Sequence, residues 1–153
     1  MALSSGPRSA RIVILGEFPS EDDIRLGAPF SGHSGTLLTE LLSAAGLNRD
    51  GCFITQLFSA RPPGGDISKW TVKRAALPSN YALPAIGRGE YLDPSRASEV
   101  TDCLDLLLSL QPNIIITLGT VALWALTGST GIASHRGAII ERELAPGRWV
   151  KIL

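Results

Sequence analysis

The stretch RIVILGEFPSEDDIRLGAPFSGHSGTLLTELLSAAGL, residues 11–47, decides the fold of this chain. It opens with an apolar run at residues 12–15, which predicts a buried strand that stops at Gly16. A polar loop spaced by glycines and prolines follows, with Glu17 directly after the strand. Apolar residues then recur at helical spacing over residues 37–45. This order of strand, glycine-rich loop and helix predicts that a ligand binds at the carboxyl end of the strand.

Length and composition predict one compact domain over residues 1–153. Of the 153 residues, 44% are hydrophobic and 18% are charged, which excludes a disordered chain. No apolar run reaches the roughly 18 residues of a membrane-spanning helix, and residues 1–10 lack the apolar centre of a signal peptide. The two cysteines, Cys52 and Cys103, do not suggest a disulfide scaffold, so a reducing compartment fits.

The rest of the chain alternates between predicted strands and predicted helices. Strands are expected at residues 52–57, 113–118, 137–143 and 149–153, and helices at 36–45, 94–110 and 120–126. Such alternation predicts an α/β fold with a parallel sheet covered on both faces. Residues 67–94 contain several prolines and are predicted to form an irregular insert with short helical turns. Because the chain stops inside a predicted strand, we expect a C-terminal truncation.

Polar groups follow three of the predicted parallel strands and should therefore share one edge of the sheet. Glu17 follows the first strand, Gln56 ends the second and the Gly119-Thr120 turn follows the third, with Arg61 just beyond Gln56. A carboxylate at such an edge can position a water molecule or stabilise a cationic transition state. Glu17 is equally compatible with a solvated loop residue or a helix-capping acid.

Three further side chains have both a nucleic-acid interpretation and a plainer structural one. Phe30 can stack on a base, which is worth roughly 1–3 kcal/mol, or fill the core. Gln56 can read a base edge with its paired donor and acceptor, or complete a strand end. Arg61 can bind a phosphate or lie exposed at the surface. The formal net charge is zero, so any nucleic-acid surface has to be a local basic patch.

Other ligand classes find little support in the sequence. The only histidines are His33 and His135, and no metal-binding pattern surrounds either of them. The loop after the first strand contains neither the GxGxxG fingerprint of dinucleotide binding nor a Walker lysine. A small-molecule α/β binding protein, which needs only a sheet and its loops, stays open as a hypothesis.

Four segments carry the motifs of one known family. They are GEFPSEDD at residues 16–23, GAPFSGHSGTLL at 27–38, TQLFSARPP at 55–63 and PNIIITLG at 112–119. These segments resemble the GEAPG, GRPFVGRAGxLL, TNVVKCRPP and Pro-x-x-Ile…Leu-Gly motifs of the uracil-DNA glycosylase superfamily, nearest to its iron–sulfur branch, family 4. Residues 122–137 also resemble glycosylase-related proteins of bacteriophages. The resemblance implies a three-layer α/β/α sandwich with a four-stranded, mostly parallel sheet.

The resemblance also implies a function. The chain is similar to DNA glycosylases, which implies that it hydrolyses the N-glycosidic bond of uracil, or of a modified pyrimidine, flipped out of DNA. Glu17 would be the catalytic residue. By the same resemblance the base would contact Phe18, Pro19, Phe30 and Gln56, and the DNA would contact Arg61, Gly32, His33, Gly35, Thr120 and Arg136. The partner would be single- or double-stranded DNA, and we expect a cytoplasmic monomer in a bacterial host or a phage-infected cell.

The chain departs from the family pattern at three points. Ala60 replaces a cluster cysteine and only Cys103 keeps its place, so we expect no iron–sulfur cluster and no other cofactor. Gln56 replaces the base-reading asparagine and moves the amide by about an ångström or more. The later His-Pro motif, whose histidine donates to the departing base, is absent, and losing such a donor slows a reaction about 100- to 1000-fold. The alternative is therefore a catalytically impaired nucleic-acid binding or interaction module.

Overall fold

A six-stranded sheet lies at the centre of the computed structural model, which describes residues 2–153. No helix within those residues combines the length and the apolar character needed to cross a bilayer. The strands are β1 (Ser4–Ser5), β2 (Ile12–Gly16), β3 (Phe53–Gln56), β4 (Thr71–Lys73), β5 (Glu90–Leu92), β6 (Ile114–Thr117), β7 (Ile140–Ala145) and β8 (Arg148–Ile152). The helices are α1 (Glu21–Leu26), α2 (His33–Ala44), α3 (Ala97–Leu110), α4 (Thr120–Thr127) and α5 (Ile132–His135).

The strands of the large sheet follow the order β1-β3-β2-β6-β8-β7. The inner strands β3, β2, β6 and β8 run parallel, and β1 and β7 join the two edges antiparallel. The predicted α/β class with a mostly parallel sheet is confirmed, but the expected count of four strands covers only the parallel part. The count of four, which the resemblance implies, leaves out the two edge strands. The sequence pattern does predict β7, at residues 137–143, but not β1, which is a pair of serines without an apolar pattern.

Helices cover both faces of the sheet because its central strands are apolar on both sides. On one face, Val13 and Leu15 of β2 belong to a large core that includes residues of α3 and α4. On the other face, Ile14 of β2 and Ile54 of β3 pack against Leu38 and Leu42 of α2. The result is three layers, helix, sheet and helix.

The register of the parallel strands brings their carboxyl ends together. Gly16 of β2 pairs with Gln56 of β3, and Leu15 of β2 pairs with Thr117 of β6. The loops that follow β2, β3 and β6 therefore leave from the same edge of the sheet, which we call the rim.

The loop after β2 contains a short helix, α1, that the sequence patterns do not predict. The Ser20 hydroxyl accepts a hydrogen bond from the Asp23 N–H (3.1 Å), and the Asp23 carboxylate accepts one from the Ser20 N–H (3.0 Å). This reciprocal capping box satisfies backbone N–H groups that the first turn of a helix otherwise leaves free. Gly27, at a φ of 70°, ends the helix in the left-handed conformation.

Residues 67–94 are more regular than the predicted irregular insert. Besides short 3-10 turns, they contain β4 and β5, which pair antiparallel as a two-stranded sheet. Trp70 meets Phe58 edge-on, with 5.4 Å between the ring centroids. The segment therefore docks against the loop after β3 through an aromatic contact.

A carboxylate on α3 fastens the loop that follows β3. Glu99 Oε2 accepts from the Ser59 N–H (2.8 Å) and hydroxyl (2.7 Å), and its Oε1 accepts from Arg96 (2.9 Å). The Arg96 guanidinium carbon lies 4.1 Å from the centroid of the Trp70 ring, a cation–π contact. Ser59, Glu99, Arg96 and Trp70 form the Glu99 network, which joins three segments beside Ala60, where the family-4 motif has a cysteine.

Replacing Glu99 with glutamine is expected to lower the free energy of unfolding by about 1–2 kcal/mol at neutral pH, because charge-assisted hydrogen bonds are lost. Burial acts to raise the pKa of Glu99, but the Ser59 N–H and hydroxyl and the Arg96 guanidinium outweigh it and lower the pKa. This stabilisation is present above the unfolded-state pKa and disappears as the pH falls through the folded-state pKa. Urea unfolding of the wild type and of Glu99→Gln, at pH about 7 and about 3, measures the difference in stability between the two proteins. This difference should be smaller at the lower pH.

Glu40→Gln, on the exposed side of α2, is the matched control and should change stability little at either pH. If Glu99→Gln and the wild type differ equally at both pH values, the carboxylate charge does not hold the network together.

Candidate active site

Glu17 lies at the rim, between β2 and the first turn of α4. Its Oε1 accepts a hydrogen bond from the Val121 N–H (2.8 Å), and its backbone carbonyl accepts one from the Phe58 N–H (2.9 Å). The half-buried side chain thus caps α4, one of the roles that the sequence leaves open. Burial raises the pKa of Glu17 above 4.5, and the N–H groups of Val121 and Thr120 only partly offset this rise.

Gly119 makes room for the Glu17 carboxylate. Its φ of 110° and ψ of 160° belong to a region that side-chain-bearing residues avoid. A Cβ atom at this position would also collide with the carboxyl group of Glu17. Glycine is therefore required here for both conformation and space.

Phe30 reaches the rim from the loop that leads into α2. Its φ of 52° is left-handed, which is uncommon for a residue with a bulky side chain. A Cβ on Gly16 would lie 2.7 Å from Cζ of the ring, and 3.5 Å from Cγ of Gln56. The half-buried ring therefore packs against the core on the α2 side and covers Gly16, the end of β2, which Gln56 also approaches.

Gln56 is held by a carboxylate that the sequence patterns do not single out. Gln56 and Asp23 are each 2% exposed, and the Gln56 amide nitrogen donates to Asp23 Oδ2 (2.9 Å). Asp23 also accepts from the Ser31 N–H (2.7 Å) and from the Ser20 N–H (3.0 Å). Burial acts to raise the pKa of Asp23, but these donors outweigh it and lower the pKa.

The amide oxygen of Gln56 differs from the other polar atoms of this group in its hydrogen bonding. It is buried and has no hydrogen-bond partner among residues 2–153. Asp23 could have been suspected from its place in the Ser-x-x-Asp capping pattern, but no sequence pattern connects it with Gln56.

Phe18 and Pro19 begin the loop after β2, and Arg61 lies in the loop after β3. Pro19 is buried and Phe18 packs against the core on the α3 side. The Arg61 guanidinium carbon lies 5.7 Å from the centroid of the Phe18 ring. Arg61 is therefore fixed near the rim by a cation–π contact rather than extended into solvent.

The predicted DNA contacts in the loop before α2 have different surroundings. Gly32 precedes the first turn of α2, and His33 is the first residue of that helix and is exposed. Gly35 is buried, and a Cβ there would clash with the Phe30 carbonyl. In the structure, Gly35 therefore serves close packing, whereas His33 faces solvent.

The two remaining predicted DNA contacts lie on the far side of the rim. Thr120 is the first residue of α4, next to the Val121 N–H that binds Glu17. Arg136 is exposed after α5 and lines a cavity of about 260 Å³ together with Gly119. Phe30 and Gln56 thus both lie beside Gly16, the residue before Glu17, and Thr120 adjoins the contact of Glu17 with α4.

The residues present do not fit an iron–sulfur cluster. Such clusters are usually held by about four cysteine thiolates, and the chain has two cysteines. Cys103 is buried in the core on the α3 side of the sheet, and Cys52 in the core on the α2 side. Within residues 2–153, no three His, Cys, Asp or Glu side chains are grouped so that they could hold a metal ion. Burial also raises the pKa of Cys103 to about 12, so its thiolate is scarce.

Known proteins share the segments that build this rim. The sequence model of the family described as "Uracil DNA glycosylase superfamily" matches residues 3–151. The chain belongs to the uracil-DNA glycosylase superfamily.

Within the superfamily, the chain is similar to proteins named type-4 uracil-DNA glycosylase, which confirms the resemblance to family 4. One from Archaeoglobus fulgidus is 32% identical over 95% of this chain and 62% of its own length. One from Thermotoga maritima is 30% identical over 80% of this chain and 52% of its own length. One from Pyrobaculum aerophilum is 29% identical over 94% of this chain and 61% of its own length. The chain therefore spans between 52% and 62% of these relatives' lengths. They are archaeal and bacterial, so the likeness to bacteriophage proteins stays a prediction.

Gly119→Ala is expected to destabilise this superfamily domain by about 2–3 kcal/mol or more, because the new methyl group displaces Glu17 and the backbone is strained. Gly128→Ala is the matched control. Gly128 also has a positive φ, 74°, but the nearest atom to its Cβ position is Pro84 Cγ at 3.6 Å. We expect a loss of about 1 kcal/mol there. Thermal unfolding compares the two, and an equal or smaller loss in Gly119→Ala contradicts the close contact with Glu17.

Proposed function

We propose that this chain is a glycosylase domain that hydrolyses the N-glycosidic bond of uracil, or of a related pyrimidine, flipped out of DNA. The observation that carries the proposal is that the Phe30 ring covers Gly16, directly before Glu17, with Gln56 beside it. A stacking surface, a base-reading amide and a carboxylate are the groups that excision of a flipped base requires. Membership of the superfamily and the names of the relatives support the same activity.

Glu17 acts in this proposal at the sugar carbon, where positive charge develops as the base departs. The bond to the base breaks, the base leaves with the electron pair, and a water oxygen bonds to the sugar carbon. The proton that this water releases is balanced by the proton that the departed base takes up. The carboxylate orients that water and stabilises the positive charge. Its hydrogen bond from the Val121 N–H holds it in one orientation beforehand, so little reorganisation is needed during the reaction.

Gln56 selects, in this proposal, a base with an N–H donor on its edge. Because an ionised carboxylate only accepts, Asp23 requires the Gln56 amide nitrogen to face it and turns the oxygen away. A donor that reaches this oxygen supplies the missing hydrogen bond, whose absence costs about 1–3 kcal/mol. Uracil has an N3–H at this edge, whereas the N3 of cytosine carries no hydrogen. A modified pyrimidine that keeps N3–H is equally acceptable.

DNA, single- or double-stranded, is proposed to lie along the rim of a monomeric domain. The N-terminus of α2, at Gly32 and His33, has no side-chain cap, and free backbone N–H groups of this kind suit a phosphate. Arg61 and Arg136 supply local positive charge in a chain with no net charge.

Glu17→Gln is expected to slow excision about 100-fold or more, because glutamine still accepts from Val121 but carries no charge. Wild-type activity is expected to fall in acid with a midpoint above 4.5, since burial raises the pKa of Glu17 and the ionised form is the active one. Cleavage at abasic sites in uracil-containing single and double strands, with protein in excess, measures both. Protein in excess limits the reaction to a single turnover, so that the assay reports the bond-breaking step itself.

An unchanged rate in Glu17→Gln contradicts this role. The same conclusion follows if the variant keeps the acid midpoint of the wild type, because the titrating group would then be another one.

Asp23→Asn is expected to lower uracil excision about 10- to 100-fold and to narrow the preference for uracil over cytosine, because an amide at this position lets the Gln56 amide turn over. Rates on matched oligonucleotides that contain uracil or cytosine measure the preference. Ser20→Ala is the matched control, since it removes the other half of the α1 capping box without touching Gln56. If Asp23→Asn and Ser20→Ala each lower the uracil and cytosine rates by the same factor, the preference is unchanged. Asp23 then has no part in choosing the base.

A second candidate is a catalytically impaired module with this fold that binds nucleic acid. It is favoured by the use of Glu17 as a helix cap and by the 2% exposure of Gln56. Binding to uracil-containing DNA with no abasic product at protein excess supports this candidate. Excision that Glu17→Gln abolishes supports the first.

A further inference from the structure

Arg49 makes an unusual set of contacts next to the candidate site. It lies in a short 3-10 turn, Arg49–Gly51, directly before β3. Its Nη2 donates to the carbonyls of Pro29 (3.1 Å) and Phe30 (3.0 Å), and its Nη1 donates to the Gly35 carbonyl (3.0 Å) and the Thr39 hydroxyl (3.1 Å). One guanidinium therefore binds four acceptors, all of them on the loop before α2 or on the first turns of that helix.

These contacts restrain a residue whose backbone conformation is unfavourable. Phe30 has a φ of 52°, and such a conformation persists only where the surroundings over-determine it. The Phe30 carbonyl faces Gly35, whose missing side chain allows the approach. The Arg49 fork binds the carbonyls on both sides of this contact and so holds the turn in which the ring is carried.

The same contacts connect the two proposed base-binding side chains. β3 begins two residues after the Arg49–Gly51 turn and ends at Gln56. The guanidinium thus ties the loop of Phe30 to the strand that carries Gln56. A lysine has neither the planar fork nor enough donors in fixed directions to bind all four acceptors.

We propose that Arg49 is a positioning residue that holds the Phe30 ring in place as the stacking surface for a flipped base. This inference rests on the proposed function, in which Phe30 stacks on the base. Arg49 acts through its contacts with the carbonyls of residues 29, 30 and 35 and with the Thr39 hydroxyl, and it contacts neither the base nor the sugar.

The experiment is a double-mutant cycle of Arg49→Ala and Phe30→Ala. Fluorescence anisotropy measures the affinities for two matched oligonucleotides, one with a cleavage-resistant 2′-fluoro-deoxyuridine and one with a tetrahydrofuran abasic site at the same position. The ratio of the two affinities gives the contribution of the base, which we call the uracil preference. Circular dichroism confirms that each variant is folded at the temperature used. Arg148→Ala, which removes an exposed arginine at the start of β8, controls for lost charge.

We expect each single variant to lower the uracil preference about 5- to 150-fold, the range that stacking is worth. The double variant should be no worse than Phe30→Ala alone, because Arg49 acts through the ring. Arg49→Lys should behave like Arg49→Ala, and Arg148→Ala should keep the wild-type preference.

Four results overturn the inference. If the losses of preference in the two single variants multiply in the double variant, Arg49 acts independently of Phe30. Equal weakening of both oligonucleotides, restored by Arg49→Lys, identifies Arg49 as a phosphate contact instead. A preference that is lost in Phe30→Ala but kept in Arg49→Ala refutes the positioning role while the proposed function stands. No uracil preference in the wild type refutes the proposed function itself, and the inference with it.

Discussion

The buried carboxylate of Asp23 is the interaction on which the rim depends. It accepts hydrogen bonds from the Ser20 and Ser31 N–H groups and from Gln56, in a position that is 2% exposed. A buried charge is tolerated only when it is well hydrogen-bonded, so these partners hold one another in place. One side chain thereby joins the start of α1, the loop of Phe30 and the end of β3. These contacts hold Gln56 and the loop of Phe30 in a fixed position relative to each other.

The two interpretations of Glu17 are compatible with each other. As a cap, its carboxylate satisfies the Val121 N–H at the first turn of α4. As a catalytic group, it benefits from that same contact, because a carboxylate whose direction is fixed in advance needs little rearrangement in a transition state. Gly119, which has no side chain, lets α4 start close enough for this contact. A structural role is therefore part of what would make this acid effective.

Much of the fold follows from local patterns, whereas the contacts that orient the site do not. Apolar patterns in the sequence predict several elements to within a few residues of their observed bounds. These elements are the strands β2, β3 and β6 and the helices α2, α3 and α4. Strands β1, β4 and β5 are two or three residues long, too short for a period to show. Motifs and the strand-end rule identify Glu17, Phe30 and Gln56. Asp23 and Arg49 escape because their key partners lie 33 and 19 residues away, and only the folded chain brings them together.

The burial of both thiols has a practical consequence. Burial raises the pKa of Cys103 to about 12 and also raises that of Cys52, so both sulfurs stay protonated and shielded near neutral pH. Alkylating reagents attack the thiolate, so native Cys52 and Cys103 should react slowly with maleimides. A cysteine introduced on an exposed helix turn can then carry a fluorophore without removing the native pair first. A dye attached at position 33, close to Phe30, would allow nucleotide movement at the rim to be followed in real time.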